Sequence, residues 1–329
     1  MEAHRVWPSV RDLLERTTVA DIVALNGQTD ILVLSENTTI EKALDELTKH
    51  NVLSAPVQVE DSLDYIGMVD VLDILTYVLS LYSEGQEESI QWSAWCNDLK
   101  ELKVRGKGFG QTPIKVIINK SKVDPFLPVE ERGTLSQVLE EVFCKGVHRA
   151  PVLSRSKAHT ISGIISQSDV LQFLANQVVS NEELVAQDRT VGELNLGTKY
   201  VITMSSSAQA IHAFYLMYFH KISAVAIVDK NEQLVANLSA SDIRGLHTTN
   251  FEALLKPVME FLLLKHGGGS RQLQPQKRPL PVITCTPYTL LSTVILQLAI
   301  YRLHRVWVVN EHRQPIGVIS LTDIMRLFA

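Results

Sequence analysis

Four aspartates recur at one position in this chain: Asp73, Asp169, Asp242 and Asp323, each opening a predicted helix just after an apolar strand. Two jobs suit a carboxylate there. It can accept a hydrogen bond from an unmet N–H of the first helical turn, where the helix dipole also favours negative charge. It can also accept from two neighbouring hydroxyls of a ribose, clamping the sugar. One oxygen can cap while the other receives a hydroxyl, so the roles are compatible. Two basic pairs, His148-Arg149 and His304-Arg305, precede apolar strands. A guanidinium offers a rigid fork and an imidazole can donate or titrate, which suits a phosphate. Basic surface residues beside a strand end are the plainer alternative.

The elements that must position these residues repeat four times. The stretches are NVLSAPVQVEDSLDYIGMVDVLDIL from Asn51, GVHRAPVLSRSKAHTISGIISQSDVL from Gly146, HKISAVAIVDKNEQLVANLSASDIR from His220 and LHRVWVVNEHRQPIGVISLTDIM from Leu303. Each reads as an apolar strand, a polar turn, a second apolar strand and an Asp-led helix. The aspartates stand 96, 73 and 81 residues apart, so insertions separate the units and a fixed-period solenoid is excluded. Upstream of each first strand lies an amphipathic helix. Its faces are Ile40, Ala43, Leu44 and Leu47; Leu135, Val138, Leu139, Val142 and Phe143; Ile211, Phe214, Tyr215, Tyr218 and Phe219; and Leu291, Val294, Ile295 and Leu298. A short extended segment, such as Asp30 to Leu34 or Pro281 to Thr284, comes before. A unit of about 55 residues buries little surface alone, so units are expected to pair.

Composition narrows the class. Of 329 residues 46% are apolar and 20% charged, the profile of a globular chain with real cores. Lys plus Arg number 31 against 36 Asp plus Glu, a formal charge of −5 that argues against a nucleic-acid binder. Cys96, Cys144 and Cys285 are isolated, so neither a disulfide framework nor a zinc site is expected. No signal-peptide pattern opens the chain, and the most apolar run, Val71 to Tyr82, is too short to cross a bilayer. No GxSxG, HExxH, Walker or kinase motif appears, so no catalytic residue is assigned. The Gly106, Gly108 and Gly110 run lacks the spacing of a dinucleotide loop and reads as a flexible segment. His266 to Arg278 reads as a mobile loop, and His212, His247 and His312 as surface residues.

This grammar resembles the CBS domain, and four copies resemble the gamma subunit of AMP-activated protein kinase and its yeast-type relatives. The likeness covers nearly all the chain from about Thr17, and is strongest in LGTKYVITM, HKISAVAIVDKNEQLV and the fourth repeat. It implies an α+β fold of four CBS repeats, strand-helix-strand-strand-helix, arranged as two tandem pairs in a disc-like assembly. Repeat one is placed at 17–80, an insertion at 81–112, repeat two at 113–178 and repeat three at 188–247. A helix and flexible linker follow at 248–278, and repeat four at 279–329.

The resemblance also implies function: a non-catalytic regulatory subunit that binds AMP, ADP or ATP between repeats, without metal or other cofactor. Its partners would be kinase catalytic alpha and scaffold beta subunits, with no nucleic acid and no membrane insertion. Its place would be the cytoplasm, with nuclear access. Ribose would be held by Asp73, Asp169, Asp242 and Asp323. Phosphate would meet His148, Arg149, Lys221, Ser223, His304, Arg305, Ser320 and Thr322. Two departures stand out. Leu53-Ser54 lies where gamma subunits carry an Arg, and Asp169 lies where animal gamma subunits carry an Arg that leaves one site unoccupied. Alternatives are a CBS scaffold for a kinase without nucleotide response, or a sensor of another adenosyl ligand.

Overall fold

The computed structural model describes residues 7–25, 27, 31–83, 108–156, 160–244, 251–266 and 282–329. Cys96, Gly106, His247, Asp30, Pro281, most of the insertion and the loop after His266 lie outside them.

Four three-stranded sheets repeat one topology. In repeat one, β1 (Leu34–Ser35) pairs parallel with β2 (Ser54–Gln58), which pairs antiparallel with β3 (Tyr65–Asp70). Repeat two has β4 (Val129–Glu130), β5 (Arg149–Leu153) and β6 (Ile161–Ser166). Repeat three has β7 (Thr203–Ser205), β8 (Ala224–Val228) and β9 (Leu234–Ser239). Repeat four has β10 (Thr284–Cys285), β11 (Arg305–Val309) and β12 (Pro315–Ser320). Each hairpin slips register at the last residue of its middle strand, between Val57 and Gln58 in repeat one and between Val308 and Val309 in repeat four. A bulge kept at one position marks the sheets as copies.

Helices α1 (Pro8–Arg16) and α2 (Val19–Leu25) open the chain. The amphipathic helices are α3 (Ile40–Lys49), α5 (Leu135–Glu141), α8 (Ala210–His220) and α10 (Leu291–Ile300). The Asp-led helices are α4 (Val71–Ser83), α6 (Gln167–Ser180) and α11 (Leu321–Phe328), while repeat three has a 3-10 turn, Ala240–Ile243, instead. Helices α7 (Glu182–Ala186) and α9 (Val258–His266) complete the set among the described residues. The expected faces of α3 and α10 are buried in full. In repeat two the helix stops at Glu141, and a 3-10 turn carries the buried Phe143. In repeat three Ile211 and Phe214 of the expected face are buried together with Ala210, Ala213 and Met217, whereas Tyr215 and Tyr218 are half-buried and Phe219 is exposed. The buried face keeps the first part of the expected one and is completed by small residues and Met217 in place of the later aromatics.

The described residues form two compact bodies. An even body comprises Met1–Ile31, Asp124–Val201 and Ile283–Ala329, and so repeats two and four. An odd body comprises Leu32–Val123 and Ile202–Val282, and so repeats one and three. Each has its own apolar core; Leu139, Leu171 and Ile295 lie in one, Leu44, Ile74 and Phe214 in the other. Alternate repeats therefore share a core.

Consecutive repeats are linked by exchanged leader segments. Residues 17–25 precede repeat one, yet Thr17 O accepts from Leu135 N–H at 2.9 Å and Val19 N–H donates to Gly133 O at 2.9 Å, both in repeat two. Conversely, Thr112 O accepts from Ile40 N–H at 2.9 Å and Ile114 N–H donates to Thr38 O at 2.8 Å, in repeat one. Residues 189–198 bind repeat four the same way, through Arg189 O with Leu291 N–H and Val191 N–H with Thr289 O. Residues 256–258 bind repeat three, through Lys256 O with Ala210 N–H and Val258 N–H with Ala208 O. Residues 113–123, assigned from sequence to repeat two, thus pack with repeat one, and 188–201 with repeat four. At Gly163 the crossing is tight: a Cβ would stand 2.6 Å from Val23 Cγ1 of the exchanged leader.

Candidate functional site

The four aspartates cap their helices, but as the third helical residue and not as the N-cap itself. Ser166, Ser239 and Ser320 are N-caps, and Asp169, Asp242 and Asp323 reach back to them. Asp169 Oδ2 accepts from Ser166 N–H and Oγ–H, both at 2.7 Å. Asp242 Oδ2 accepts from Ser239 at 2.7 and 3.0 Å, and Asp323 Oδ2 from Ser320 at 2.8 and 2.7 Å. These are capping boxes with Asp in place of the longer acid. The bonds use Oδ2 throughout.

Repeat one is built differently. Asp73 is 1% exposed; Oδ2 accepts from Asp70 N–H at 2.9 Å and Oδ1 from Ser121 N–H at 2.8 Å. Both oxygens serve backbone donors, so this carboxylate ties Asp70 and Ser121 together in a buried corner. Asp70 takes the N-cap position filled by serine elsewhere, accepting from Leu72 N–H at 2.8 Å. Across the hairpin Asp70 faces Ser54, whose buried hydroxyl has no hydrogen-bond partner. Arg149 and Arg305 fill the matching position in repeats two and four, opposite Ser166 and Ser320. Two buried carboxylates stand in this corner of repeat one, where repeats two and four place a guanidinium on the same strand position.

Both His-Arg pairs lie in the even body. His148-Arg149 opens β5 and His304-Arg305 opens β11. Gln167 N–H donates to His148 O at 2.9 Å, and Leu321 N–H to His304 O at 3.1 Å. The Gln167 side chain, 2% exposed, donates to Val147 O and to Thr322 Oγ1, each at 3.0 Å. A short chain of bonds thus runs from one His-Arg pair to the other. His148, Arg149, Arg305, Ser320, Thr322, Asp169 and Asp323 are all half-buried, and His304 is exposed.

Of the odd-body candidates, Ser223 matches the histidine position, its carbonyl accepting from Ala240 N–H at 3.0 Å. Lys221 is exposed; it ends α8 with φ 55°, and its ammonium lies 4.6 Å from the centroid of the Tyr218 ring. That cation–π contact is its described partner. Two unforeseen cations stand near Asp242. Burial lowers the affinity of the Lys265 ammonium for its proton, Asp242 opposes this and Arg244 adds to it.

Sequence reasoning missed Asp124, Gln167 and Asp70. Aligning Asp70 with the three N-cap serines would have exposed it. Asp124 and Gln167 act through contacts distant in sequence, and no local pattern marks them. Asp124 is 3% exposed and accepts from His148 N–H at 2.6 Å. Among the described residues no cluster of His, Cys, Asp or Glu could hold a metal ion, and no helix is long and apolar enough to cross a membrane.

These features define a CBS-domain fold. The CBS domain family matches residues 19–80 and 277–329. A solved structure of similar fold is protein MJ1225 of Methanocaldococcus jannaschii, proposed as an archaeal homologue of gamma-AMPK. Its TM-score is 0.67 at 17% identity, over 95% of this chain and 100% of that one. Among curated proteins, the chain is 25% identical to Protein SDS23 of Meyerozyma guilliermondii over 86% of its length. It is 23% identical to the 5'-AMP-activated protein kinase subunit gamma of Dictyostelium discoideum over 95% of its length. The chain spans about half the length of these relatives, 55% and 52%.

Proposed function

We propose that this chain is a non-catalytic regulatory subunit that binds an adenine nucleotide through the even body and passes its occupancy to a protein kinase complex. The carrying observation is the gathering of two His-Arg pairs, two half-buried capping aspartates and the Ser320 and Thr322 hydroxyls in one body. In this reading Arg149, Arg305, His148 and His304 meet phosphate, with Ser320 and Thr322 beside them, while Asp169 and Asp323 receive ribose hydroxyls. Asp242, Ser223 and Lys221 serve a second, odd-body position. The likeness to a kinase gamma subunit supports alpha and beta subunits as partners. A cytoplasmic place with nuclear access belongs to the same reading.

Magnitudes set the affinity. A charge-assisted hydrogen bond contributes about 1.5–3 kcal/mol, and lost freedom on binding costs at least about 4 kcal/mol. Three or four such bonds with adenine packing leave roughly 6–8 kcal/mol, from tens of micromolar to about one micromolar. That range suits an abundant metabolite. Isothermal titration with AMP, ADP and ATP tests the reading; no heat at millimolar concentration for any of them would refute it.

A second reading is a CBS scaffold that assembles kinase subunits without nucleotide response. The buried Asp70, Asp73 and Ser54 of repeat one favour it. Kinase activity that ignores AMP in the assembled complex would select this reading over the first.

A further inference from the structure

Asp124 is the first residue of the segment that enters the even body after 32–123 of the odd body. Pro125 follows it and biases its backbone away from the helical region. Both of its oxygens face one residue. His148 N–H donates to Oδ1 at 2.6 Å, and His148 Nδ1 lies 3.1 Å from Oδ2. Asp124 is 3% exposed, whereas the His148 side chain is 34% exposed. A buried acceptor is thus coupled to an accessible ring.

We propose that Asp124 is a positioning residue for the anion site: it holds the His148 Nδ1–H inward, so that Nε2 faces outward and, once the ring takes up a second proton on binding, donates its N–H to a phosphate oxygen. This deepens the nucleotide reading and rests on it for the effect on affinity. An ionised carboxylate is acceptor-only, so the nitrogen beside it must carry hydrogen whatever the charge of the ring. The backbone bond pins the start of β5 as well, and with it Arg149, whose guanidinium charge acts on Asp124. A ring held by a second residue meets its ligand already oriented, and so loses less freedom on binding.

The test uses the full chain and AMP as probe. Long-range proton–nitrogen spectra, assigned with His148→Ala, should show the Nδ1–H form in the wild type and a shift toward Nε2–H in Asp124→Asn. Asp124→Asn should weaken AMP binding about tenfold, a charge-assisted contact's worth. In the His148→Ala background the same change should alter affinity less than about twofold, because the residue it positions is gone. Asp124→Ser serves if the Asn variant fails to fold. An unchanged tautomer with unchanged affinity would overturn the proposal. So would an equal further loss in the His148→Ala background, which would make Asp124 a purely structural anchor. The tautomer spectrum needs no ligand, so it decides the orientation claim even if AMP binds nowhere and the nucleotide reading fails.

Discussion

Gln167 of repeat two donates its side-chain amide to the hydroxyl of Thr322 in repeat four at 3.0 Å. The same nitrogen serves Val147 O at 3.0 Å and Phe143 O at 3.3 Å, so one buried amide ties the two repeats of the even body together. Gln167→Leu removes these donors while keeping bulk. It should lower stability by about 1–3 kcal/mol, read from the urea midpoint. It should also change AMP affinity, because the Thr322 hydroxyl loses its partner. No change in either quantity would show that the link carries nothing.

Asp73 and Asp323 hold equivalent positions and should fail differently. Asp73→Ala leaves the N–H groups of Asp70 and Ser121 unmet in a buried corner and should cost at least about 2 kcal/mol of stability. Nucleotide affinity should stay at the wild-type value. Asp323→Ala loses a cap, about 1 kcal/mol, and should weaken AMP binding more than it harms folding. Parallel melting curves and titrations of both variants check the contrast.

Acid should act through Asp124. Burial raises its pKa, but the hydrogen bond and charge of His148 and the charge of Arg149 outweigh this and hold it below the ordinary 3.8. A depressed carboxylate contributes stability that is present above the unfolded-state value and lost as pH falls through the folded one. The stability gap between wild type and Asp124→Asn should therefore stay level down to about pH 5 and shrink below about pH 4. Urea unfolding across that range measures it; a gap that closes between pH 7 and pH 5 would contradict the assignment.

The leader exchange has its own probe. Gly163→Ala drives a Cβ to within 2.6 Å of Val23 Cγ1 and should cost about 1–3 kcal/mol. Val23→Ala in the same chain should recover part of that loss, since it removes the opposing methyls. Additive destabilisation in the double variant would show that the two residues do not meet.

Much of the fold was legible because each repeat writes it again. The spacing of Ile40, Ala43, Leu44 and Leu47 fixes a helical face without any tertiary knowledge, and all four are buried. In repeat three the same reasoning chose Ile211 and Phe214, which are buried, but also Tyr215, Tyr218 and Phe219, because aromatic residues lie on both sides of a helix as apolar as α8. Small Ala210 and Ala213 face the core, where close packing favours them. The capping aspartates were readable from their place after a strand. What local pattern cannot show is the partner supplied from elsewhere. Asp124 meets a histidine 24 residues on, Gln167 a threonine 155 residues on, and each leader is claimed by a neighbouring repeat.

The central claim is that the even body catches the phosphate of an adenine nucleotide. It is tested most directly by titrating AMP into the full chain carrying Arg149→Ala with Arg305→Ala, beside one carrying Lys221→Ala with Ser223→Ala. The account predicts that the first pair lowers affinity by a factor of one hundred or more, about 1.4 kcal/mol or more for each lost guanidinium, while the second lowers it less than about tenfold. Wild-type affinity in the Arg149 and Arg305 double variant, with the fold intact by circular dichroism, would contradict it.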